Sequence, residues 1–432
     1  MPLLRILGLA FGIAVVIGAS IGTGILRTPG AVVSQVGSAP AALLAWMLGG
    51  LYALLGAACL AELSASIPRS GGFYIYARRA LGDGFGFAVA WADWFTNCSA
   101  VSYGAIATSE YVGLLMPSVA GHRVAIAAGV ILGFAVLQLC GMRVSSRFQE
   151  MTSFTKAVAF LVFIVVMFVV ARPATSVAVV PSPVAVPTIV AFVLALQLVI
   201  GAYDGWQSGM YFAGEHTDPV RNLPRSLVVG VLVVMAVYLL MNLVLVRVLS
   251  LGQLAGSALP VADAARAAFG ERGETATTLL SILSPLTNIF AVLLCAPRIL
   301  YAVASDGLVP AGAAFVDRRG TPSVALVIST AVALAFLATG SFESIATVFA
   351  FFAVTSYAGC FVSLIALRRT EPNLLRPFKA WGYPATPLVV LAGAIGLLTG
   401  LVVGAPRQSL VALAALLASY PVYRLTRGYG RG

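Results

Sequence analysis

The chain has 432 residues, of which 60% are hydrophobic and 9% are charged, and its mean hydropathy is +1.00. This composition excludes a soluble globular protein with a single core and indicates a polytopic membrane protein. The net charge of +11 could suggest a nucleic-acid partner, but the basic residues lie in short segments between apolar stretches, so no such partner is expected.

Division of the chain at charged and Pro/Gly-rich breaks gives twelve stretches of about 20 apolar residues, the length that crosses a bilayer. The predicted spans lie near 7–32, 39–63, 84–116, 122–141, 148–171, 187–214, 226–250, 276–304, 323–340, 343–367, 384–404 and 408–425. The N-terminal stretch merges with the first span and has no small-residue cleavage site, so it is not interpreted as a signal peptide. All five cysteines fall inside spans, which argues against a disulfide framework.

The first span is interrupted at its centre by Gly18, Gly22 and Gly24, with Ser20 and Thr23 between them. Opening a helix in hydrocarbon leaves backbone N–H and C=O groups without partners. Such an opening is tolerated only where a polar ligand binds or where protein encloses it. The stretch from Gly18 to Gly24 is therefore predicted to form half of a substrate site.

The second span is followed by a turn at Pro68 and Gly71–Gly72, and then by an amphipathic segment that is predicted to lie on the inner membrane surface. The third span contains Asp93 and Glu110. Ionisable residues at membrane depth are functional candidates. An interfacial position also fits both residues, because Asp93 lies near the inner end of the span and Glu110 near the outer end.

Lys156 is the only lysine in any predicted span and lies about two turns inside the fifth, roughly 12 Å by helical rise. Its stem is long enough to carry the ammonium toward the cytoplasmic surface. Alternatively, the ammonium is buried, holds two structural elements together and is able to lose its proton. The spacing alone leaves both interpretations open.

The sixth span contains a second interruption at Ile200–Trp206, five spans after the first. Two broken spans at this separation are typical of a LeuT-type five-plus-five inverted repeat, in which the substrate binds between the breaks near the midplane. The predicted fold is therefore an all-α membrane protein of 12 transmembrane helices with broken helices 1 and 6. Its parts are a first repeat at 7–171, a second, inverted repeat at 187–367 and two additional helices at 384–425.

The arginines and lysines of the loops collect on one side if the spans alternate. That side carries Arg69, Arg78, Arg79, Arg143, Arg147, Arg221, Arg225, Arg318, Arg319, Arg368, Arg369, Arg376, Lys379, Arg424, Arg427 and Arg431. The other side carries Arg123, Arg172, Arg266, Arg272 and Arg407. The positive-inside rule then places both termini in the cytoplasm. The two histidines lie in different loops, and no cluster has metal-ligand spacing, so neither a metal nor a cofactor is predicted.

Several motifs together resemble the amino acid–polyamine–organocation superfamily, and within it bacterial relatives of the L-type amino-acid transporters. They are Gly18–Ile25, Ala202–Trp206, the segment Glu215–Pro224, Arg298–Tyr301 with Asp306–Pro310, and Arg376–Pro384. The likeness covers residues 7 to about 390. These motifs are specific for the superfamily and much less so for a substrate.

The resemblance implies that the carboxylate of an amino acid meets the N–H groups of Gly22, Thr23 and Gly24, at the positive end of a half-helix. It also implies that the ammonium meets carbonyls of the two breaks, with Tyr203 and Gly205 completing the site. The carbonyls concerned are those of Ser20, Ile21, Gly201, Ala202 and Asp204. Lys156 aligns with the lysine that occupies a sodium position in sodium-independent members, which favours a structural or proton-linked role.

Two departures from the family pattern stand out. Gly201 replaces a bulky aromatic residue found in many L-type members, which affects the size of the pocket and its lid. The loop 117–122 lacks the cysteine that joins animal members to a heavy chain, so no disulfide-linked heavy chain is expected.

These observations predict a sodium-independent secondary transporter of amino acids in the bacterial inner membrane, working by alternating access as an exchanger or a proton-linked carrier. The alternative within the superfamily is a carrier of polyamines or other organic cations. A channel would need a continuous polar path, and a membrane-embedded enzyme would need a recognisable nucleophile, base or metal set. Asp204 has three open roles, which are a tether for the break, a proton carrier and a site for cationic substrates.

Overall fold

The computed structural model of the protein describes residues 2–173, 188–339 and 342–427. Over these ranges the chain is helical and forms no β-sheet. The α-helices are α1 (Leu9–Ser20), α2 (Gly24–Val36), α3 (Ala39–Ser66), α4 (Phe73–Leu81), α5 (Asp83–Leu115), α6 (Arg123–Leu139), α7 (Met142–Val170), α8 (Thr188–Ala202), α9 (Pro219–Val248), α10 (Leu251–Gly256), α11 (Pro260–Phe269), α12 (Glu271–Ser305), α13 (Ser323–Thr339), α14 (Phe342–Thr370), α15 (Ala385–Gly404), α16 (Pro406–Leu417) and α17 (Ser419–Thr426). Short 3₁₀ helices cover Pro117–His122, Ser208–Glu215 and Ala311–Ala314.

Eight helical stretches in the described part of the chain are long and apolar enough to cross a membrane. A ninth is the pair α1 and α2, which together have that length and are bent by 47° at the break. The other three predicted spans coincide with α5, α8 with its following 3₁₀ helix, and α13. Of these, α5 is long enough at 33 residues but richer in polar side chains, whereas α8 and α13 are short.

The helix α1 lies at the centre of the bundle, packed against α7, α9 and α12. Small residues allow the close approach of α1 to α9. A Cβ placed on Gly230 would lie 2.6 Å from Cγ1 of Val16, and one on Gly12 would lie 2.6 Å from the Cβ of Ser226. In membranes, packing of this kind replaces the hydrophobic drive that operates in water. These contacts, together with those of α2 with α8, bring the two breaks together.

Two features differ from the sequence-based expectations. The segment after Gly72 does form a helix, but residues 73–77 of α4 are buried, so this helix packs into the protein instead of resting on the membrane surface. The connection between α9 and α12 contains two helices, α10 and α11, that were not expected. His216 does lie in the predicted loop, between the 3₁₀ helix Ser208–Glu215 and α9, and its side chain is fully buried. The expected span limits at 187 and 340, and Arg431, lie outside the described residues.

Candidate functional site

The first break consists of Ile21, Gly22 and Thr23, between the end of α1 and the start of α2. The N–H of Gly22 donates to the carbonyl of Ser20 at 2.9 Å. Within the described part of the chain, the N–H groups of Thr23 and Gly24 have no acceptor. The first N–H groups of a helix have no intrahelical partner, and together they attract an anion. The start of α2 therefore offers two free donors and a positive dipole end.

The second break follows α8, where residues 203–207 form turns before the 3₁₀ helix Ser208–Glu215. Gly205 has a φ of +109°, and a Cβ there would lie 2.5 Å from the carbonyl carbon of Ala19. A Cβ on Gly24 would likewise lie 2.8 Å from Cα of Ala202. The two breaks thus touch backbone to backbone, and only glycine fits at these two contacts.

Lys156 reaches the first break from α7, and its side chain is fully buried. The Nζ atom donates to the carbonyl of Gly18 at 2.9 Å and to that of Ile21 at 2.5 Å, with the carbonyl of Ser284 at 3.5 Å. The ammonium therefore does not reach the membrane surface. Instead it binds carbonyls of the broken helix, as a metal cation at the same place would.

Three side chains from α9 and α12 complete the polar contacts of the breaks. Tyr238 donates its hydroxyl to the carbonyl of Ser20 at 2.7 Å and lies 3.1 Å from that of Ala202. Ser284 donates to the carbonyl of Ile21 at 3.0 Å, and Asn288 donates to that of Ala19. The sequence motifs did not identify Tyr238 or Ser284 as partners of the breaks.

Four of the five carbonyls assigned to the substrate ammonium already accept hydrogen bonds within the protein. Those of Ser20 and Ala202 face Tyr238, that of Ile21 accepts from Lys156, and that of Gly201 accepts from the N–H of Asp204 at 3.3 Å. A carbonyl oxygen has two lone pairs, so those of Ala202 and Gly201 can each accept one further donor. The carbonyl of Ser20 also accepts from the N–H of Gly22, and that of Ile21 also accepts from Ser284, so both of these oxygens already have two donors. A substrate ammonium would share these acceptors with protein groups.

The model of the amino acid permease family matches residues 7–417 of this chain. The chain belongs to the amino acid permease family. This result confirms the resemblance to the amino acid–polyamine–organocation superfamily that the sequence motifs carried. The family consists of transporters, so the prediction that this permease is not an enzyme is also confirmed.

Individual relatives align with the permease over most of its length. The serine/threonine exchanger SteT of Bacillus subtilis (strain 168) is 26% identical over 442 residues, covering 96% of this chain and 95% of that protein. The b(0,+)-type amino acid transporter 1 of Homo sapiens is 28% identical over 387 residues, covering 86% and 78% respectively. The human large neutral amino acids transporter small subunit 2 is 28% identical over 437 residues, covering 97% and 80%.

The remaining site candidates of the permease lie along the second break. Tyr203 is buried and donates to the carbonyl of Trp46 at 3.1 Å, so its hydroxyl points away from the first break. The carboxyl group of Asp204 lies 3.5 Å from the amide nitrogen of Gln207 and forms no ion pair among the described residues. A Cβ on Gly201 would meet nothing within 4 Å. The position of Gly201 therefore has room for a side chain.

Pairs of charged residues close the bundle away from the breaks, and sequence reasoning did not predict them. Glu215 accepts two hydrogen bonds from Arg298, at 2.6 and 2.9 Å, with both side chains buried. Glu62 accepts two from Arg368, both at 2.6 Å. On the other side of the break, Arg27 on α2 binds Glu110 at 2.7 Å. These contacts join helices that lie far apart in the sequence.

A metal site is not apparent in the part of the chain that the structure describes, since no group of three or more His, Cys, Asp or Glu side chains could hold an ion. Four of the five cysteines are buried and Cys140, just after α6, is exposed. The polar chemistry at the breaks is thus supplied by backbone groups, one ammonium, hydroxyls and amides.

Proposed function

We propose that this permease is a sodium-independent secondary transporter that moves amino acids across the cytoplasmic membrane by alternating access, as an exchanger or a proton-linked carrier. Transport of amino acids is supported by relatives whose names describe serine/threonine exchange and amino acid transport. The observation that carries the proposed sodium independence is the position of the Lys156 ammonium on two carbonyls of the first break.

The proposed architecture has twelve spans, with the first repeat at 7–171, the inverted repeat at 187–367 and two further helices at 384–425. The contact between the breaks of α1–α2 and α8 supports it, because substrate sites of such repeats lie between two discontinuous helices. The positive-inside rule supports cytoplasmic termini. Rocking of one repeat against the other would then expose the breaks to either side in turn.

The proposed recognition of the substrate uses the start of α2 for its carboxylate and the carbonyls of the two breaks for its ammonium. The carboxylate would bind the free N–H groups of Thr23 and Gly24. The N–H of Gly22, assigned to the same role, already donates to Ser20, so it would have to exchange partners. The ammonium would use the free lone pairs of the carbonyls at Gly201, Ala202 and Asp204, whereas at Ser20 and Ile21 it would have to displace a protein donor.

Charge and geometry at the first break support the proposed sodium independence. A sodium ion binds to several oxygens, and here Nζ of Lys156 already binds the oxygens of Gly18 and Ile21. A second cation at the same oxygens would lie within about 4 Å of the ammonium, and like charges at that distance repel by about 4 kcal/mol even at an effective dielectric of 20. The ammonium would therefore exclude sodium and would hold the carbonyls of the first break in its place.

The proposal also includes function without a disulfide-linked partner. The loop 117–122, which forms a 3₁₀ helix, contains no cysteine. Four cysteines are buried, and Cys140 lies at the opposite end of α6 from that loop. A substrate and the lipid bilayer would be the only partners that transport requires.

The decisive experiment uses purified permease in proteoliposomes with labelled serine, leucine and arginine outside. Uptake should require amino acid inside for an exchanger, or a proton gradient for a proton-linked carrier. Replacement of sodium by potassium or choline should leave uptake unchanged. Decarboxylated amines serve as the matched control, since they lack only the group that Thr23 and Gly24 would bind. Uptake that rises steeply with sodium would overturn sodium independence, and equal transport of amine and acid would favour the polyamine carrier.

A further inference from the structure

Asp93 on α5 is a buried carboxyl group that lacks a cation. The buried glutamates of the permease each face an arginine, Glu62 with Arg368 and Glu215 with Arg298. Asp93 is 1% exposed, yet no Lys, Arg or His of the described residues lies within ion-pair distance of it. A buried charge without a partner is costly, so such groups are neutral, hydrated or functional.

The two oxygens of Asp93 have different surroundings. Oδ1 accepts from the hydroxyl of Tyr211 at 2.6 Å and from the amide of Asn97 at 3.3 Å. Oδ2 is buried and has no hydrogen-bond partner in the described structure. The N–H of Phe73 lies near the carboxyl group but outside hydrogen-bonding geometry for Oδ2. Donors thus occupy one oxygen, and the other is left to carry a proton.

Among the described residues, the titratable groups that contact or act on Asp93 are acidic or neutral. Tyr211 approaches from the 3₁₀ helix of the second break, Cys295 from α12 and Cys360 from α14. Asp204 in the second break also acts on Asp93 electrostatically. Two carboxyl groups that interact without a cation between them disfavour simultaneous ionisation. This environment suits a carboxyl group that gains and loses a proton.

The position of Asp93 connects the second break to one face of the bundle. Tyr211, its hydrogen-bond partner, follows Asp204 by seven residues on the same span. Gly72, where a Cβ would lie 2.7 Å from Oδ2, ends the connection between α3 and α4. That connection also holds the second break directly, since the N–H of Gly214 donates to Ser70 Oγ at 3.0 Å. Movement of residues 67–72 would therefore uncover Oδ2.

We propose that Asp93 is a proton-binding site of the permease, which is protonated at Oδ2 while the connection 67–72 covers it and ionised when water reaches it. The O–H bond at Oδ2 breaks on opening and the proton passes to water. The same bond forms with a proton from water before closure. This inference rests on the proposed function, because it supplies the proton of the proton-linked form of transport.

The test compares Asp93→Asn with Asp83→Asn, which makes the same substitution on the same helix at an exposed site. Vesicles contain a pH-sensitive dye and labelled amino acid, so that proton uptake and amino-acid exchange are measured together. Asp93→Asn should lower amino-acid-driven proton uptake by about tenfold or more, because an amide cannot titrate, while exchange persists with a flattened pH profile. Asp83→Asn should match the wild type in both measurements.

A readout independent of transport is the infrared carbonyl band of a protonated carboxyl group. The wild type should show a band that disappears in Asp93→Asn and persists in Asp83→Asn. It should shift in Tyr211→Phe, which removes the shorter of the two hydrogen bonds to Oδ1. A band that remains in Asp93→Asn would show that Asp93 is not the protonated group, and a pH profile unchanged by asparagine would show that its proton is not exchanged during transport. Either result overturns the inference. A wild type that carries no amino acid refutes the proposed function, and the infrared band then still decides the protonation of Asp93.

Discussion

Removal of the charge of Glu215 should open the side of the bundle that this residue closes. Glu215 and Arg298 are 0% and 2% exposed, and two hydrogen bonds of 2.6 and 2.9 Å join them. In Glu215→Gln the side chain keeps its size and one acceptor oxygen, so the main loss is the negative charge. Arg298 then remains buried against the ring of Phe212, whose centroid is 4.3 Å away, and the carbonyl of Leu294.

The size of the effect follows from the burial of this pair. Breaking a buried ion pair by removal of one partner costs about 3–5 kcal/mol, because the other charge stays desolvated. We take about 3 kcal/mol, the lower end, because glutamine retains a hydrogen bond. If the cost falls on the closed arrangement alone, the ratio of closed to open protein drops about 150-fold.

The assay is the rate at which a water-soluble maleimide alkylates Cys295, a buried thiol one turn before Arg298. The background carries Cys140→Ser, and a Cys295→Ala variant identifies the signal. We expect alkylation to accelerate by about two orders of magnitude in Glu215→Gln. Glu371→Gln is the matched control, because it breaks an ion pair with Arg79 in which the two side chains are 33% and 40% exposed. An exposed ion pair of this kind contributes little to stability.

Two results would refute this reasoning. One is a folded Glu215→Gln protein whose Cys295 reacts at the wild-type rate, which would show that the pair does not hold the closure. The other concerns the double variant Glu215→Gln/Arg298→Met, in which no unpaired charge is buried. Closure should largely return in that variant, and a double variant as open as the single one would assign the effect to packing instead of charge.

Three further predictions concern the breaks and the inner contacts. Lys156→Met keeps the aliphatic part of the side chain but removes the ammonium, so the carbonyl of Gly18 loses its hydrogen bond. Loss of a hydrogen bond at a buried group costs about 1–3 kcal/mol, and uptake should fall about tenfold or more. Near-wild-type uptake by this variant would contradict the role of the ammonium. Gly24→Ala should abolish amino-acid binding, because its Cβ would lie 2.8 Å from a Cα of the second break. In Gly22→Ala the Cβ would lie 3.4 Å from a side-chain amide, so this variant should bind amino acid within a few-fold of wild type. Equal losses of affinity in a direct binding assay would argue against the backbone contact. Burial lowers the pKa of His216 from 6.5 to about 4, so the unfolded state binds more protons in that interval and the permease should lose stability as pH falls from about 6.5 to 4, by up to about 3 kcal/mol. The melting temperature should fall less with decreasing pH in His216→Gln than in the wild type. Parallel curves of melting temperature against pH for the two proteins would exclude His216 as the source of the pH dependence.

The site features that were predicted from sequence are those with a local signal. Glycines spaced through an apolar stretch indicate a broken helix wherever the chain goes, so both breaks could be placed within a few residues. A single lysine at membrane depth is equally conspicuous. Its distance from the span end does not tell whether the stem turns toward the surface or the core, and only the contacts with Gly18 and Ile21 settle that direction.

The partners that were missed lie far away in the sequence. Tyr238 is 218 residues from Ser20, Arg298 is 83 from Glu215 and Arg368 is 306 from Glu62. Which residues meet across two helices depends on their rotation and register, and neither is encoded in the periodicity of one helix. The burial of α4 was missed for a related reason, since an apolar face fits a membrane surface and a protein groove equally well.

The distance between the first break and its donors also has a consequence for biosynthesis. The carbonyl of Ile21 receives its hydrogen bond from Lys156, which is made 135 residues later. At 5–20 residues per second, the ribosome supplies this lysine roughly 7–27 s after Ile21. During that interval the first span has neither Lys156 nor Tyr238 to satisfy its open carbonyls. The first span must therefore enter the bilayer as a continuous helix or remain where water can hydrate its open carbonyls. It can adopt its bend only after α7 and α9 have been inserted beside it.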